Sequence, residues 1–281
     1  MAELLSGKIL SEQLTLKQKE KVAELKEKGI VPGLAVVFVG EDPASQIYVR
    51  NKGIACETIG IYSRTIRLDA DCTQEKLTET IEDLNKDKQI HGILVQLPLP
   101  KHLDEQKTLA TILPQKDVDG FHLINAGKLF TNQKGIVPCT PKGILFMLKD
   151  AGIDLAGKEA VIIGRSNIVG KPAAMLLLNE NCTVTICHSK TKDLKEHTKR
   201  ADILVAAIGK AKFVTADMVK PGSVVIDVGI NRVDGKVVGD VDFEAVEKIA
   251  SYITPVPGGV GKMTISMLME NTLEAACAQA L

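Results

Sequence analysis

Apolar and polar positions alternate along this chain in two rhythms. In residues 11–28, Leu14, Val22 and Leu25 share one face of a 3.6-residue repeat, which predicts an amphipathic helix ended by Gly29. LAVVFVG (34–40) is an unbroken apolar run, the pattern of a strand buried on both faces. Asp42 has the chemistry of an N-cap and Pro43 that of a first helical residue, so a helix carrying Tyr48 and Lys52 should begin there. IYSRTIRL (61–68) predicts a second strand and residues 73–86 a second helix. GILVQLPLP (92–100) predicts a third strand, stopped by its prolines. Strands alternating with helices in this way predict a parallel sheet.

Residues 114–139 lack a clear period and read as the crossing to a second domain. Thr140-Pro141 repeats the N-cap-then-proline signal and opens a helix to about residue 149. A new series of strands follows: AVIIG (160–164), TVTICHS (183–189), DILVAAIG (202–209) and SVVIDVG (223–229). Asp234-Gly235, set between apolar residues, signals a hairpin within residues 230–241. A last helix, 263–279, should pack back on the first domain. The fold class read from this pattern is α/β with two domains. An N-terminal α/β substrate domain, residues 1–139, is completed by the C-terminal helix, 262–281. A doubly wound, Rossmann-like dinucleotide-binding domain occupies residues 140–261.

A chain of 281 residues exceeds one core of ordinary size, which agrees with two domains. Lys plus Arg and Asp plus Glu balance at 35 each, so no long-range field favours a nucleic acid or an anionic membrane. Trp is absent and aromatic residues are 3% of the chain, too few for a base-stacking platform. The six cysteines form no C-x-x-C pair, and free thiols in a reducing cytosol are expected. No metal site is expected. The N-terminus lacks a signal-peptide core and no apolar run reaches the ~20 residues of a spanning helix, so a cytoplasmic protein is expected.

GRSNIVGKP (164–172) directly follows a predicted strand and opens a helix, the place where a doubly wound sheet binds phosphate. Gly164 would make the turn and Gly170 allow close packing, although Ser166 stands where the second glycine of G-x-G-x-x-G would be. A magnesium-binding P-loop does not fit, because Pro172 replaces its Ser or Thr. A tight turn without a ligand is the plainer alternative. About 20 residues beyond the glycines an NAD enzyme usually places an acid for the ribose hydroxyls. Here the chain reads His188-Ser189-Lys190, with Arg165 in the loop itself. A cation and a hydroxyl without a carboxylate suit the extra 2′-phosphate of NADP. His188 reads as a satisfied strand-end histidine rather than a catalytic one.

Tyr48 and Lys52 are four apart on one helix and share a face. Taken alone, they fit a solvated lysine beside a packing tyrosine. Gln96 changes that balance, because it is a polar side chain in an apolar strand and a buried amide needs partners. Asp119, in KDVDG, follows on a loop that should lie close by. A phenol, an amine, an amide and a carboxylate would then converge on a cleft between the domains.

YVRNK, ILVQLPLP, KDVDG, GRSNIVGKP, CHSKT and TPVPGGVGKMT, in this order and spacing, resemble the bifunctional methylenetetrahydrofolate dehydrogenase/cyclohydrolase family over essentially the whole chain. The resemblance implies oxidation of methylenetetrahydrofolate with NADP, hydrolysis of the methenyl product to formyltetrahydrofolate, a homodimer, and a role in one-carbon supply. It implies Lys52 as general acid/base, Gln96 as the group that positions and tunes it, and Tyr48 as a wall of the pterin pocket. Asp119 would bond the amino-pyrimidine edge. Val95, Leu97, Pro257, Gly258, Gly259 and Gly261 would line the folate. Gly164, Arg165, Ser166, Ser189 and Ile230 would hold the dinucleotide. Two other classes fit the fold: a dehydrogenase of hydroxy or amino acids that uses Lys52 on the alcohol or amine proton, and a non-catalytic dinucleotide sensor.

Overall fold

The computed structural model describes residues 1–280, the side chain of Ala44 left aside. In chain order the elements are β1 (Glu3–Leu4), α1 (Gly7–Glu27), β2 (Gly33–Val39), α2 (Pro43–Ile59), β3 (Tyr62–Leu68), α3 (Gln74–Lys86), β4 (Gly92–Val95), α4 (Glu105–Thr111) and α5 (Leu123–Phe130). Then come α6 (Cys139–Asp150), β5 (Glu159–Ile163), α7 (Gly170–Asn179), β6 (Thr183–Cys187), α8 (Leu194–Thr198), β7 (Ile203–Ala206) and β8 (Val224–Asp227). The last are β9 (Asn231–Val233), β10 (Lys236–Val238), α9 (Phe243–Val246), β11 (Tyr252–Ile253) and α10 (Val260–Gln279).

The chain divides into two compact units, one of Met1–Glu12 with Thr140–Thr264 and one of Gln13–Cys139 with Ile265–Leu281. The expected boundaries place residues 1–12 in the first domain. Instead they group with residues 140–264, because β1 pairs in parallel with β11, Glu3 opposite Tyr252 and Leu4 opposite Ile253. A two-residue strand carries too little pattern to be read from sequence.

The unit formed by residues 13–139 and 265–281 holds a parallel sheet in the order β3-β2-β4. Every residue of the central strand β2 is buried, as its unbroken apolar run requires. Asp42 caps α2 by accepting from the Ser45 N–H at 2.7 Å, and Thr73 caps α3 by accepting from Lys76. Leu77, Ile81 and Leu84 form the buried stripe of α3 and pack with Ala35, Val37, Ile93 and Val95. The strand expected over 92–100 ends at Val95, and the Leu97–Pro98 peptide is cis. Proline supplies no N–H for a ladder, so pairing stops at the first backbone bond beyond the strand, from Gln96 N to Val37 O at 2.8 Å. The supposedly aperiodic stretch 114–139 contains α5, capped by His122, whose Nδ1 accepts from Ile124 N at 3.0 Å.

The other unit holds a parallel sheet in the order β1-β11-β8-β7-β5-β6 and a separate two-stranded ribbon, β9-β10. The strand order reverses at β5: β6 lies on one side of it and β7 on the other. This reversal opens the crevice in which doubly wound sheets bind ligands. Asp234 and Gly235 both take positive φ at the ribbon's turn, as the Asp-Gly signal requires. Thr140, expected to cap α6, lies inside that helix, and its hydroxyl bonds the Thr264 hydroxyl at 2.9 Å.

Candidate active site

In the first of these sheets the strand order reverses about β2, so the crevice lies at the carboxyl ends of β2 and β4. α2 leaves the end of β2 and brings Lys52 to Gln96, the residue after β4. Lys52 Nζ donates to Gln96 Oε1 at 2.9 Å, and Gln96 Nε2 donates to Leu97 O at 2.8 Å. The amide is therefore fixed with its oxygen toward the lysine. Burial pushes the Lys52 ammonium below its ordinary range, and the Asp119 carboxylate pulls the other way without winning. Burial likewise raises Asp119, against the pull of Lys52. Both partners thus lean toward their neutral forms. Tyr48, one helical turn before Lys52, keeps an exposed ring.

Asp119 lies between two anchored neighbours. Asp117 accepts from His122 N at 2.9 Å, Phe121 N at 3.2 Å and Asn125 Nδ2 at 2.8 Å. Val118 O accepts from Asn271 Nδ2 at 2.8 Å and from the Cys139 thiol at 3.3 Å. Gly120 turns the loop at φ +75°, where a Cβ would meet Pro138 N at 2.6 Å. Sequence reasoning missed Asp117, Asn125, Cys139 and Asn271. Asp117 was visible only as one of two acids in KDVDG, and Asn271 as a polar residue within the apolar run of α10.

In the other unit, Gly164 follows β5 at φ +126°, and a Cβ there would strike Ala207 O. A Cβ on Gly170 would strike Gly164 O and stand 2.9 Å from Arg165 N. The backbone of the turn is therefore folded tightly on itself at the start of α7. The Ser166 hydroxyl accepts from Val169 N at 3.1 Å and Gly170 N at 3.3 Å, and so ties the loop to the helix N-terminus. Ile163 and Cys187 pair across β5 and β6. Arg165 and Ser189, each two residues beyond that pair, leave adjacent strands at one end, and both side chains are exposed. Ile230, also exposed, stands before β9, with its Cδ1 3.5 Å from the position a Gly261 Cβ would take. Pro257, Gly258 and Gly259 lie just before α10; Gly258 has φ +107°, and a Cβ on Gly259 would meet Pro255 O at 2.5 Å. Of the expected site residues, Tyr48, Lys52, Val95, Gln96, Leu97 and Asp119 thus fall in one unit and the rest in the other.

Residues 5–119 match the family model for the tetrahydrofolate dehydrogenase/cyclohydrolase catalytic domain, and residues 138–280 match that for its NAD(P)-binding domain. The chain belongs to the tetrahydrofolate dehydrogenase/cyclohydrolase family. It is 59% identical over 277 residues to the bifunctional protein FolD of Acidovorax sp. (strain JS42), covering 98% of each chain. The solved FolD methylenetetrahydrofolate dehydrogenase/cyclohydrolase of Campylobacter jejuni shares 53% identity and a TM-score of 0.98, with 99% of this chain and 100% of that one covered. The Trypanosoma brucei enzyme, solved with NADP cofactor and an inhibitor, shares 39% identity and a TM-score of 0.95 over 99% and 98% of the two chains.

This chain is a bifunctional methylenetetrahydrofolate dehydrogenase and cyclohydrolase. The readings as a hydroxy- or amino-acid dehydrogenase and as a non-catalytic sensor are set aside by these matches. Among the described residues no helix is long and apolar enough to cross a membrane.

Proposed function

We propose that this chain oxidises methylenetetrahydrofolate with NADP and hydrolyses the methenyl product to 10-formyltetrahydrofolate, with Lys52 as the group that moves the proton. The observation that carries the reading is the 2.9 Å bond from Lys52 to an oriented Gln96 beside Asp119, in surroundings that lower the lysine's pKa. NADP supplies the acceptor for the hydride. The glycine turn after β5 and the Arg165–Ser189 pair at one strand end fit a dinucleotide with a 2′-phosphate.

In the oxidation, a hydride leaves a carbon set between two nitrogens, whose lone pairs stabilise the cation left behind. Lys52 is not required to take a proton in that step. In the hydrolysis, water attacks the same carbon and loses a proton, and a ring nitrogen gains one as its bond to that carbon breaks. A neutral Lys52 amine accepts the first proton and returns one to the nitrogen. Gln96 holds the amine in place. Asp119, anchored on both sides, accepts from the amino-pyrimidine edge of the pterin, and Tyr48 lines the ring. Val95 and Leu97 contact the folate. Gly164, Arg165, Ser166, Ser189 and Ile230 hold the dinucleotide.

The product spectrum after mixing protein, methylenetetrahydrofolate and NADP+ tests this. NADPH absorbance with formation of the formyl product is expected, and no folate turnover would reject it. The protein works in the cytoplasm as a homodimer joined through the β9-β10 ribbon, a two-stranded sheet of marginal stability alone with Val233 exposed. A sedimenting monomer at micromolar concentration would contradict the dimer.

A further inference from the structure

Two carboxylates left unused by that reading are the buried charged residues of the nucleotide-binding unit among the described residues. Asp227, at the end of β8, is 3% exposed, and Asp240, just after β10, is 0% exposed. Asp240 accepts from three successive backbone N–H groups of the loop after β7: Ile208 at 2.7 Å, Gly209 at 3.0 Å and Lys210 at 2.8 Å. It also accepts from Asn231 Nδ2 at 3.0 Å. Asp227 accepts from the N–H groups of Gly229 at 2.9 Å, Asp240 at 2.8 Å and Val241 at 2.9 Å. The packing is reciprocal. A Cβ on Gly239 would collide with the Asp227 carboxylate, and one on Gly229 with that of Asp240.

The clasp joins the loops at the carboxyl end of the sheet. Ala207, against which Gly164 of the glycine turn packs, directly precedes the three N–H groups held by Asp240. Gly229, held by Asp227, directly precedes Ile230. Seven donors are directed at these two buried carboxylates, and the loops they hold lie at the carboxyl end of the sheet, where doubly wound folds bind dinucleotides.

We infer that Asp227 and Asp240 are positioning residues for the dinucleotide, holding the ends of β7 and β8 in register with the glycine turn after β5. This rests on the NADP reading above. It requires that weakening the clasp impair dinucleotide binding while leaving the cofactor-free hydrolysis intact.

The test compares the full-length protein with D240N and N231A in three measurements: NADP+ affinity by titration, dehydrogenase kinetics, and cyclohydrolase activity on methenyltetrahydrofolate supplied directly. An asparagine amide offers one acceptor oxygen to donors that now face two, and its NH2 opposes their N–H groups. D240N should weaken NADP+ binding about tenfold and raise its KM in step, with a change in kcat of under about threefold and cyclohydrolase activity within about twofold. N231A removes one donor from the rim of the clasp and should weaken binding by about twofold to threefold, which keeps the test alive if D240N does not fold. Wild-type NADP+ affinity in D240N, or in N231A where D240N does not fold, would overturn the inference. So would a cyclohydrolase loss parallel to the loss of affinity. An unmodified protein that forms no NADPH would instead reject the function reading on which the inference rests.

Discussion

The two chemical regions of this molecule are built in opposite ways. The Lys52–Gln96–Asp119 cluster is made of half-buried side chains, and burial lowers the lysine and raises the carboxyl. The glycine turn after β5 is made of backbone, with its charge and hydroxyl at the surface in Arg165 and Ser189. In the proposed function one region moves a proton and needs an altered pKa. In the same proposal the other grips an anionic cofactor and needs close approach and an exposed cation. Substitutions should therefore separate the two activities cleanly.

The largest separation is expected from Lys52→Met, which keeps a stem of similar length and removes the amine. Cyclohydrolase activity should fall by about 10²–10⁴, the usual contribution of a general acid/base, while hydride transfer stays measurable and the methenyl compound accumulates. The spontaneous hydrolysis rate must be subtracted. Near-wild-type hydrolysis would remove Lys52 from its role. Loss of both activities with NADP binding intact would mean that Lys52 also places the folate.

Arg165→Ala acts on the other region. Loss of a charge-assisted contact to the 2′-phosphate should weaken NADP+ by about tenfold to a hundredfold and narrow the preference over NAD+, with cyclohydrolase activity unchanged. Equal use of both cofactors by the unmodified enzyme would contradict it.

A smaller effect sharpens the comparison through stability. Asp117, 1% exposed and two residues before Asp119, is pushed up to about 6 by burial, with its hydrogen bonds from Asn125 and His122 opposing. A carboxyl whose folded pKa exceeds its unfolded value of about 3.9 binds protons more tightly when folded. Its contribution is therefore fully present below pH ~4 and is lost as pH rises through about 6, a change on the order of 1–3 kcal/mol. Denaturant unfolding at pH 5 and pH 7.5 should show a smaller difference in Asp117→Asn than in the unmodified chain. An equal difference would show that Asp117 does not titrate in this range.

Much of this was legible in the sequence where one residue type had one reason to be there. Strand β2 declared itself as an unbroken apolar run, Asp42-Pro43 as a helix start, and Gln96 as an amide that a buried strand end could hold only with a partner. Signals that depend on pairing across long separations were not legible. β1 is two residues long and exists because β11 receives it. Asp117 and Asp119 are indistinguishable in KDVDG until Asn125 and His122 close on one of them. Asp227 and Asp240 lie 13 positions apart in the sequence, and only the fold brings them together. Ser166 looked like a flaw in a glycine motif, yet its hydroxyl ties the loop to the start of α7.

Burial beside Gln96 lowers the Lys52 ammonium from its ordinary range, and the proton transfer proposed for Lys52 depends on that shift. A titration of the side-chain Nζ resonances in ¹⁵N-lysine-labelled protein tests it most directly, with Lys52 assigned by the signal missing from Lys52→Met. A Lys52 midpoint clearly below the ordinary lysine value of about 10.4 is expected. A midpoint at or above that value would contradict it.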